Sequence, residues 1–331
     1  MSGINGSMAH LSDALFTTSI AVYALAAVGF TAEYSFGRRE LRAGSPAVRA
    51  RELVGAGGPP VVEDAAPQLP AGPSRAERIG RACVVILILG ALVHAGAIAV
   101  RGIAVDAVPW SNMYEFASVA GIVGVLAFLG VLWKAPAIRR LGGFVLLPAI
   151  VMMFLAGTVW YSRAQPLVPA LQSYWLGIHV TLAAVSEGAL MTSAVLTVLY
   201  LVKSHYGRNA SSASSASGLA RLAERLPAAD SLDKAAYRVV AFSFPLYTVA
   251  VICGAIWAEA AWGRYWGWDP KETWAFIVWV VYACYLHARA TAGWKGRAAA
   301  WINLVGFFAI TFNFLIVNMV VSGLHSYAGL S

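Results

Sequence analysis

The chain has 331 residues, of which 59% are hydrophobic and only 12% charged, and its formal net charge is +8. A mean hydropathy of +0.68 excludes an ordinary soluble globular protein. Repeated apolar runs of about twenty residues predict an all-α, polytopic membrane protein. The three cysteines lie in or beside apolar runs without CxxC spacing, which argues against a disulfide framework or a zinc site.

In chain order, the apolar runs predict eight membrane helices. They cover residues 14–36, 82–100, 113–133, 142–160, 174–202, 238–258, 273–290 and 298–320. No basic segment precedes the first run, so we expect it to be retained as a membrane helix and not cleaved as a signal peptide.

The distribution of basic residues predicts the topology. With both termini outside, the inner segments hold eight, three, six and three Lys or Arg residues, and the outer segments hold four. This asymmetry follows the positive-inside rule and strongly favours that orientation. The basic charge is therefore a topology signal, and no nucleic-acid partner is expected.

Two inner segments differ in composition from the helices. Residues 37–81 are rich in Pro, Gly, Ala and Arg and predict a disordered cytoplasmic linker between the first helix (1–36) and a seven-helix core (82–331). The inner loop 203–237 contains a Ser/Ala-rich run, followed by Leu219–Leu226, which has the pattern of a short amphipathic helix on the membrane.

The outer loop 257–274 carries the densest chemical signal. Five of the twelve tryptophans fall in it, at positions 257, 262, 266, 268 and 274, interleaved with Arg264, Asp269 and Lys271. A membrane-surface belt would explain one or two tryptophans per helix end. This density favours a platform for a flat, partly charged ligand.

Two helix starts are marked by capping signals. Asp269 precedes Pro270 and is followed three residues later by Glu272, which predicts a capping box. Asn112 and Glu115 have the same spacing at the start of the third helix. For Asp269 and Glu115, capping is the minimum role.

The six histidines differ in predicted depth. His10 and His205 lie in segments expected to be solvated, and His94 is more typical of a packed core residue. His179 and His325 are predicted to flank the same outer surface as the Trp-rich loop, whereas His287 lies toward the inner half of the seventh helix. Two imidazoles, aromatic walls, and the cations Arg264 and Lys271 for carboxylates suit an iron macrocycle.

Several stretches of the sequence resemble a known family. The string WGRYWGWDPKETW at 262–274 is similar to the WWD signature of haem-handling membrane proteins in cytochrome c maturation. Further stretches resemble the CcsA/ResC-type subunit of the System II cytochrome c synthase, called CcsB in actinobacteria: SNMYEF at 111–116, LQSYWLGIHV at 171–180, YLHARATAGWKGRAAAW at 285–301 and VNMVVSGLHSYA at 317–328.

The resemblance implies a set of roles. His179 and His325 would ligate haem iron beside the WWD loop, and His287 would belong to an earlier haem site within the membrane. Trp262, Trp266, Trp268 and Asp269 match the signature itself. The implied ligand is haem b, and the implied partners are a ResB-type membrane subunit and the CxxCH segment of an apocytochrome c. The implied location is a bacterial plasma membrane, with the site on its outer face. Any enzymatic role would be that of a synthase subunit.

Two other functions fit a membrane protein with paired histidines and a Trp-rich loop. A b-type cytochrome that exchanges electrons with quinone would place histidine pairs at matching depth on facing helices. A structural or transport subunit would use the tryptophans only as an interface anchor and would bind no haem.

Overall fold

The computed structural model describes residues 4–43, 74–109, 111–165, 171–208, 218–291, 293–321 and 323–324. This part of the chain is helical and contains no strand. Its long helices are α1 (Gly6–Ala43), α2 (Arg75–Val105), α3 (Met113–Lys134), α4 (Gly142–Thr158), α5 (Tyr174–Arg208), α7 (Ala229–Trp262), α8 (Pro270–Ala290) and α9 (Arg297–Phe312). A 3-10 helix, Pro136–Leu141, precedes α4, and a π-helical turn, Asn313–Val317, follows α9.

The helix count agrees with eight membrane crossings. Among the described residues, seven segments are long and apolar enough to cross a membrane. The eighth, α8, has 21 residues, or ~31 Å, close to the hydrocarbon thickness of ~30 Å. It is less apolar because Lys271 and Glu272 lie in its first turn, and His287 and Arg289 in its last. The predicted all-α fold with about eight membrane helices is confirmed.

Several helices extend beyond the predicted apolar runs. The first reaches Ala43, the second begins at Arg75, and α7 begins at Ala229. Hydropathy marks the hydrocarbon crossing, whereas hydrogen bonding and caps such as Ser74 continue the helix into polar sequence. The predicted linker 37–81 is therefore helical at both ends, and its central part, 44–73, lies outside the described residues.

The predicted amphipathic segment forms a short helix, α6 (Gly218–Arg225). It packs against the ends of α1 and α5, because the Tyr34 hydroxyl donates to the Leu222 carbonyl and Lys203 Nζ donates to the Ala223 carbonyl at 2.8 Å. Ala223 and Leu226 are buried. This helix is thus anchored to the bundle and does more than lie on a membrane surface.

Helix α5 is the central element of the bundle. Of its most apolar stretch, 72% is buried inside the protein, against 28–56% for the other membrane-length segments. It crosses α3 closely at Gly188, where a Cβ atom would lie 2.2 Å from the Ala120 carbonyl oxygen. Residues on α5 are therefore held between α3, α7 and α9, and five of them line the cavity described next.

Candidate functional site

A large cavity opens where α5 and α8 begin and α7 ends, which we call the cavity end of the bundle. Its empty space, which includes the solvent at the open mouth, is about 1280 Å³. The lining is mainly apolar, and few ionisable side chains interrupt it. They include His179, Glu187, Lys271 and Glu272. The cavity suits a large apolar ligand with a small number of polar groups.

The cavity brings together some of the predicted site residues. Those that line it are His179, Trp262, Trp266 and Lys271. Arg264, Trp268 and Asp269 belong to the loop between α7 and α8 but are not part of the lining. His287 is remote from the cavity, and His325 lies outside the described residues.

One ring nitrogen of His179 is fixed by helix α7. Its Nδ1 lies 2.7 Å from the backbone carbonyl oxygen of Ala250, an acceptor, so Nδ1 carries the proton. Nε2 is then the unprotonated nitrogen, and among the described residues it has no hydrogen-bond partner. Metal-ligating histidines commonly donate their other ring N–H to a carbonyl in this way. His179 therefore faces the cavity with the tautomer that an iron ligand needs.

The ring of His179 fits because residue 254 is glycine. A Cβ atom at Gly254 would lie 2.6 Å from Nδ1 and 2.7 Å from Cε1 of His179. Any larger residue at this position would push the imidazole away from α7 and break the bond to Ala250. The absence of a side chain at position 254 thus leaves the space that the His179 ring needs in this orientation.

The loop between α7 and α8 is organised by the carboxylate of Glu272. This side chain accepts hydrogen bonds from the backbone N–H groups of Gly267, at 2.8 Å, and Asp269, at 3.1 Å. It also forms an ion pair with Arg264 at 3.1 Å. Arg264, which the sequence suggests as a cation for a ligand carboxylate, thus holds the loop through this ion pair, and its contact with a ligand stays a prediction.

Four of the five tryptophans of this loop fall into two groups, and the fifth, Trp274, packs against Phe312. Trp257 is 2% exposed and contacts Trp262 at a centroid distance of 4.7 Å, and with Trp266 these rings line the cavity. Trp268 is 63% exposed, has φ +58° and packs edge-on against Phe276. That left-handed backbone costs a non-glycine residue ~1–2 kcal/mol. The predicted platform is therefore built from part of the set.

Asp269 joins the loop to the end of the chain. It caps α8 in the predicted capping box, which is confirmed: one carboxylate oxygen accepts from the Lys271 backbone N–H at 3.0 Å. The other oxygen accepts from the backbone N–H of Leu324 at 2.9 Å. Leu324 directly precedes His325 in the sequence. The signature aspartate thus binds the segment that leads to the second predicted histidine.

Lys271 presents its charge to the cavity. Its Nζ donates to the Asn318 side-chain oxygen and lies 3.5 Å from the Asn313 carbonyl oxygen at the π-helical turn. Among the described residues, no carboxylate lies within 4 Å of this ammonium group. Lys271 is therefore available to an anionic group of a ligand.

The remaining intramembrane histidines have different surroundings. His287 is exposed on α8, ~26 Å along the helix from Pro270. His94 is fully buried, and both ring nitrogens are bonded, one to the Tyr23 hydroxyl and the other to Ser118 Oγ. The interpretation of His94 as a packed core residue agrees with these contacts.

The other predicted cap also borders the cavity. The Asn112 side chain accepts from the Glu115 backbone N–H at 2.9 Å, and the Glu115 carboxylate accepts from the Ser111 N–H at 2.8 Å and from Arg101 Nε at 3.0 Å. Ser111, Asn112 and Met113 all line the cavity. The buried Arg101–Glu115 pair thus supports one wall of the site.

Sequence reasoning missed several lining residues. Glu187 and Tyr247 lie deep in the cavity, and Asn313 and Asn318 lie on its α9 side. A detectable signal existed for Glu187, because an ionisable residue inside a membrane helix is by default a functional candidate. Asn313 and Asn318 carried no comparable signal, since their placement depends on the π-helical turn.

Comparison with known proteins agrees with this architecture. Residues 110–325 match the family model of the cytochrome C assembly protein. A Gloeobacter violaceus protein named cytochrome c biogenesis protein CcsA is 35% identical, covering 71% of this chain and 83% of the relative. CcsA proteins of Trieres chinensis and Synechococcus elongatus are each 37% identical, over 67% and 66% of this chain and 78% of each relative. The chain therefore belongs to the cytochrome C assembly protein family.

Proposed function

We propose that this chain is the haem-handling subunit of a cytochrome c synthase in a bacterial plasma membrane. It receives haem b and holds it in the cavity, on the outer face. A ResB-type membrane partner presents the CxxCH segment of an apocytochrome c for attachment. The observation that carries this proposal is His179: its imidazole lines a large apolar cavity walled by tryptophans, with its Nδ1 proton engaged and Nε2 without a hydrogen-bond partner among the described residues.

The iron would be held between two imidazoles. His179 Nε2 is the first ligand, and the hydrogen bond from Nδ1 of the same ring to the Ala250 carbonyl oxygen orients the ring and raises its basicity. His325 is the second, supported by the hydrogen bond from Leu324, its neighbour in sequence, to Asp269. Two nitrogen ligands fill both axial positions of the iron and keep oxygen from it before transfer.

The rest of the cavity fits a porphyrin. Trp262 and Trp266 offer flat apolar faces to the ring. Lys271 supplies a cation for a propionate, and no carboxylate among the described residues already neutralises it within 4 Å. Arg264, Trp268 and Asp269 contribute by shaping the loop that carries these groups.

The attachment reaction requires mainly that the haem and the apocytochrome peptide be held in position. Each thioether forms when a cysteine sulfur of CxxCH bonds to the inner carbon of a haem vinyl group and the thiol proton ends on the outer vinyl carbon. No further reactant is consumed, so fixing the vinyl edge beside the peptide is the chain's contribution. The histidine of CxxCH then replaces one protein imidazole and releases the product.

The inner part of α8 would serve an earlier haem site. His287 is exposed on its helix. An exposed imidazole within a membrane helix faces a partner more favourably than lipid. We propose that a ResB-type subunit covers this face and completes the site.

The test is the absorbance of the purified chain and the yield of holocytochrome. The chain is expressed with a ResB-type subunit and a c-type cytochrome reporter. His179→Ala and His325→Ala should each deplete haem and abolish maturation, and added imidazole should restore part of the yield by filling the vacant axial position. His205→Ala, which removes an exposed histidine at the opposite end of α5, should match the wild type.

Full holocytochrome yield from the His179→Ala/His325→Ala double variant without imidazole would refute the ligand assignment. A chain that shows no Soret band with its partner present would support a structural subunit instead. Quinone-dependent turnover, with normal c-type cytochromes after deletion, would support the b-type cytochrome.

A further inference from the structure

The floor of the cavity contains an ionisable group that the proposed haem ligation does not use. We call Glu187, Tyr247, Ala275 and Ile310 the cavity floor, because each is the lining residue of its helix farthest from the cavity end. Glu187 is eight residues beyond His179 on α5, ~12 Å along the helix axis. It is only 8% exposed.

Glu187 lacks a protein partner. None of the hydrogen bonds or ion pairs among the described residues involves its carboxyl group. The nearby Tyr247 hydroxyl donates at 3.2 Å to the Ala275 carbonyl oxygen and so offers no proton to Glu187. A buried carboxyl group without a partner is costly in an apolar environment. Its position on the cavity surface points to a partner that arrives with the ligand.

Lys271 lies close enough to Glu187 for their charges to interact, although no contact within 4 Å joins them. The other titratable groups near Glu187 are the phenols of Tyr247 and Tyr282, and both belong to buried residues. On the Lys271 side the titratable neighbours are Asp269 and His179, and both oxygens of Asp269 already accept backbone hydrogen bonds.

The pair of Glu187 and Lys271 suits a ligand carboxylate. A desolvated carboxylate needs a cation and a hydrogen-bond donor. Lys271 supplies the cation, and a protonated carboxyl group supplies an O–H donor, which forms a short and strong bond to an anionic oxygen. An ionised Glu187 would repel the ligand instead, because two adjacent carboxylates in a dry site do not both stay charged.

We propose that Glu187 and Lys271 form a carboxylate-binding subsite, in which the protonated Glu187 and the ammonium of Lys271 together hold one carboxylate of the ligand. This inference rests on the proposed function, in which the carboxylate is a haem propionate. The subsite anchors one edge of the macrocycle at the cavity floor. It thereby fixes which edge of the ring faces the opening.

The test compares iron protoporphyrin IX with its dimethyl ester, which lacks the carboxylates. Both are titrated into the full-length chain in detergent and followed by the Soret band. The wild type should bind the free acid about ten- to a hundredfold more tightly, as expected for a hydrogen bond to a charged group. Glu187→Leu should lose most of this preference. Glu187→Gln should keep a substantial part of it, because the amide still donates a hydrogen bond.

Glu259→Gln is the matched control, since Glu259 is exposed near the end of α7 and does not line the cavity. An unchanged Soret position in the Glu187 variants shows that the fold and the His179 ligation are intact. A preference that stays equal or increases in Glu187→Leu would overturn the subsite, because an ionised Glu187 would then be repelling the ligand.

The two proposals fail differently. A wild-type chain that binds neither porphyrin contradicts the haem-handling function. A chain that binds both through His179 with equal affinity contradicts only the subsite.

Discussion

Two histidines inside the bundle illustrate how similar sequence contexts lead to different hydrogen bonding. His94 is fully buried between α1, α2 and α3. One of its ring nitrogens is hydrogen-bonded to the Tyr23 hydroxyl and the other to the Ser118 hydroxyl. His179 lies between α5 and α7, with one nitrogen on the Ala250 carbonyl oxygen and the other facing the cavity. Both are single histidines in apolar helices.

The difference is the number of ring nitrogens that the protein itself satisfies. A doubly bonded imidazole has no lone pair to offer, whereas a singly bonded one has a fixed tautomer and a free donor atom. Membrane depth alone does not separate these cases. The predictions below test whether this criterion distinguishes a ligand from a core residue.

The largest effect is expected from exchanging the two histidines for alanine. His179→Ala should reduce bound haem to below about a tenth of the wild type because the iron loses an axial ligand. His94→Ala should keep the Soret band but lower the unfolding temperature, since stranding the buried Tyr23 and Ser118 hydroxyls costs about 1–3 kcal/mol each. Haem absorbance per protein and thermal unfolding measure the two effects. Equal haem loss in both variants would remove the distinction.

A smaller effect is expected from Gly254→Ala. The new methyl group would occupy the space of the His179 ring, 2.6 Å from Nδ1, and break the bond that orients it. Disturbing such supporting contacts typically lowers metal affinity by about 10–100-fold. Haem titration measures the change. Gly177→Ala on the same helix as His179 is the control, because a Cβ atom there meets nothing within 4 Å.

Asp269→Ala tests the link between the loop and the end of the chain. It removes the acceptor of the Leu324 N–H and the helix cap of α8, and loss of a cap costs about 0.5–2 kcal/mol. We expect a lower unfolding temperature and several-fold weaker haem retention. Part of the bound haem should show the absorbance spectrum of iron with a single histidine ligand. Asp230→Ala, an exposed acid in the first turn of α7, should change neither property.

The smallest effects separate the two groups of tryptophans. Trp262→Ala removes a ring from the cavity wall and should weaken haem binding, because aromatic contacts are worth about 0.5–1.5 kcal/mol beyond their buried area. Trp268→Ala removes an exposed ring outside the lining and should leave haem affinity unchanged. A stronger loss in Trp268→Ala would show that the exposed indole reaches the ligand.

Local chemistry explains what was predictable from sequence. The membrane helices follow from apolar runs, and the caps at Asp269 and Asn112 follow from side chains that reach backbone groups a few residues away. The depth of His179 also followed, because its helix was clearly delimited. Each of these features depends on residues that are near one another in the chain.

Tertiary contacts explain what was not predictable. The pairing of Arg264 with Glu272, and the contact of Leu324 with Asp269, depend on how the loop folds back on α8 and on the end of α9. The unpartnered state of Glu187 depends on which helices surround it. A sequence pattern marks such residues as unusual but does not say whether a partner comes from the protein or from a ligand.

The acceptor that orients His179 is a main-chain atom, which makes the arrangement robust to mutation. Substitution of Ala250 by another residue that keeps α7 helical leaves the same carbonyl oxygen in place. The side chain at position 250 therefore does not supply the acceptor, whereas the size of the residue at position 254 still sets the room for the imidazole ring. The vulnerable point is the helix path itself, so a proline near this turn would be more damaging than a change at position 250.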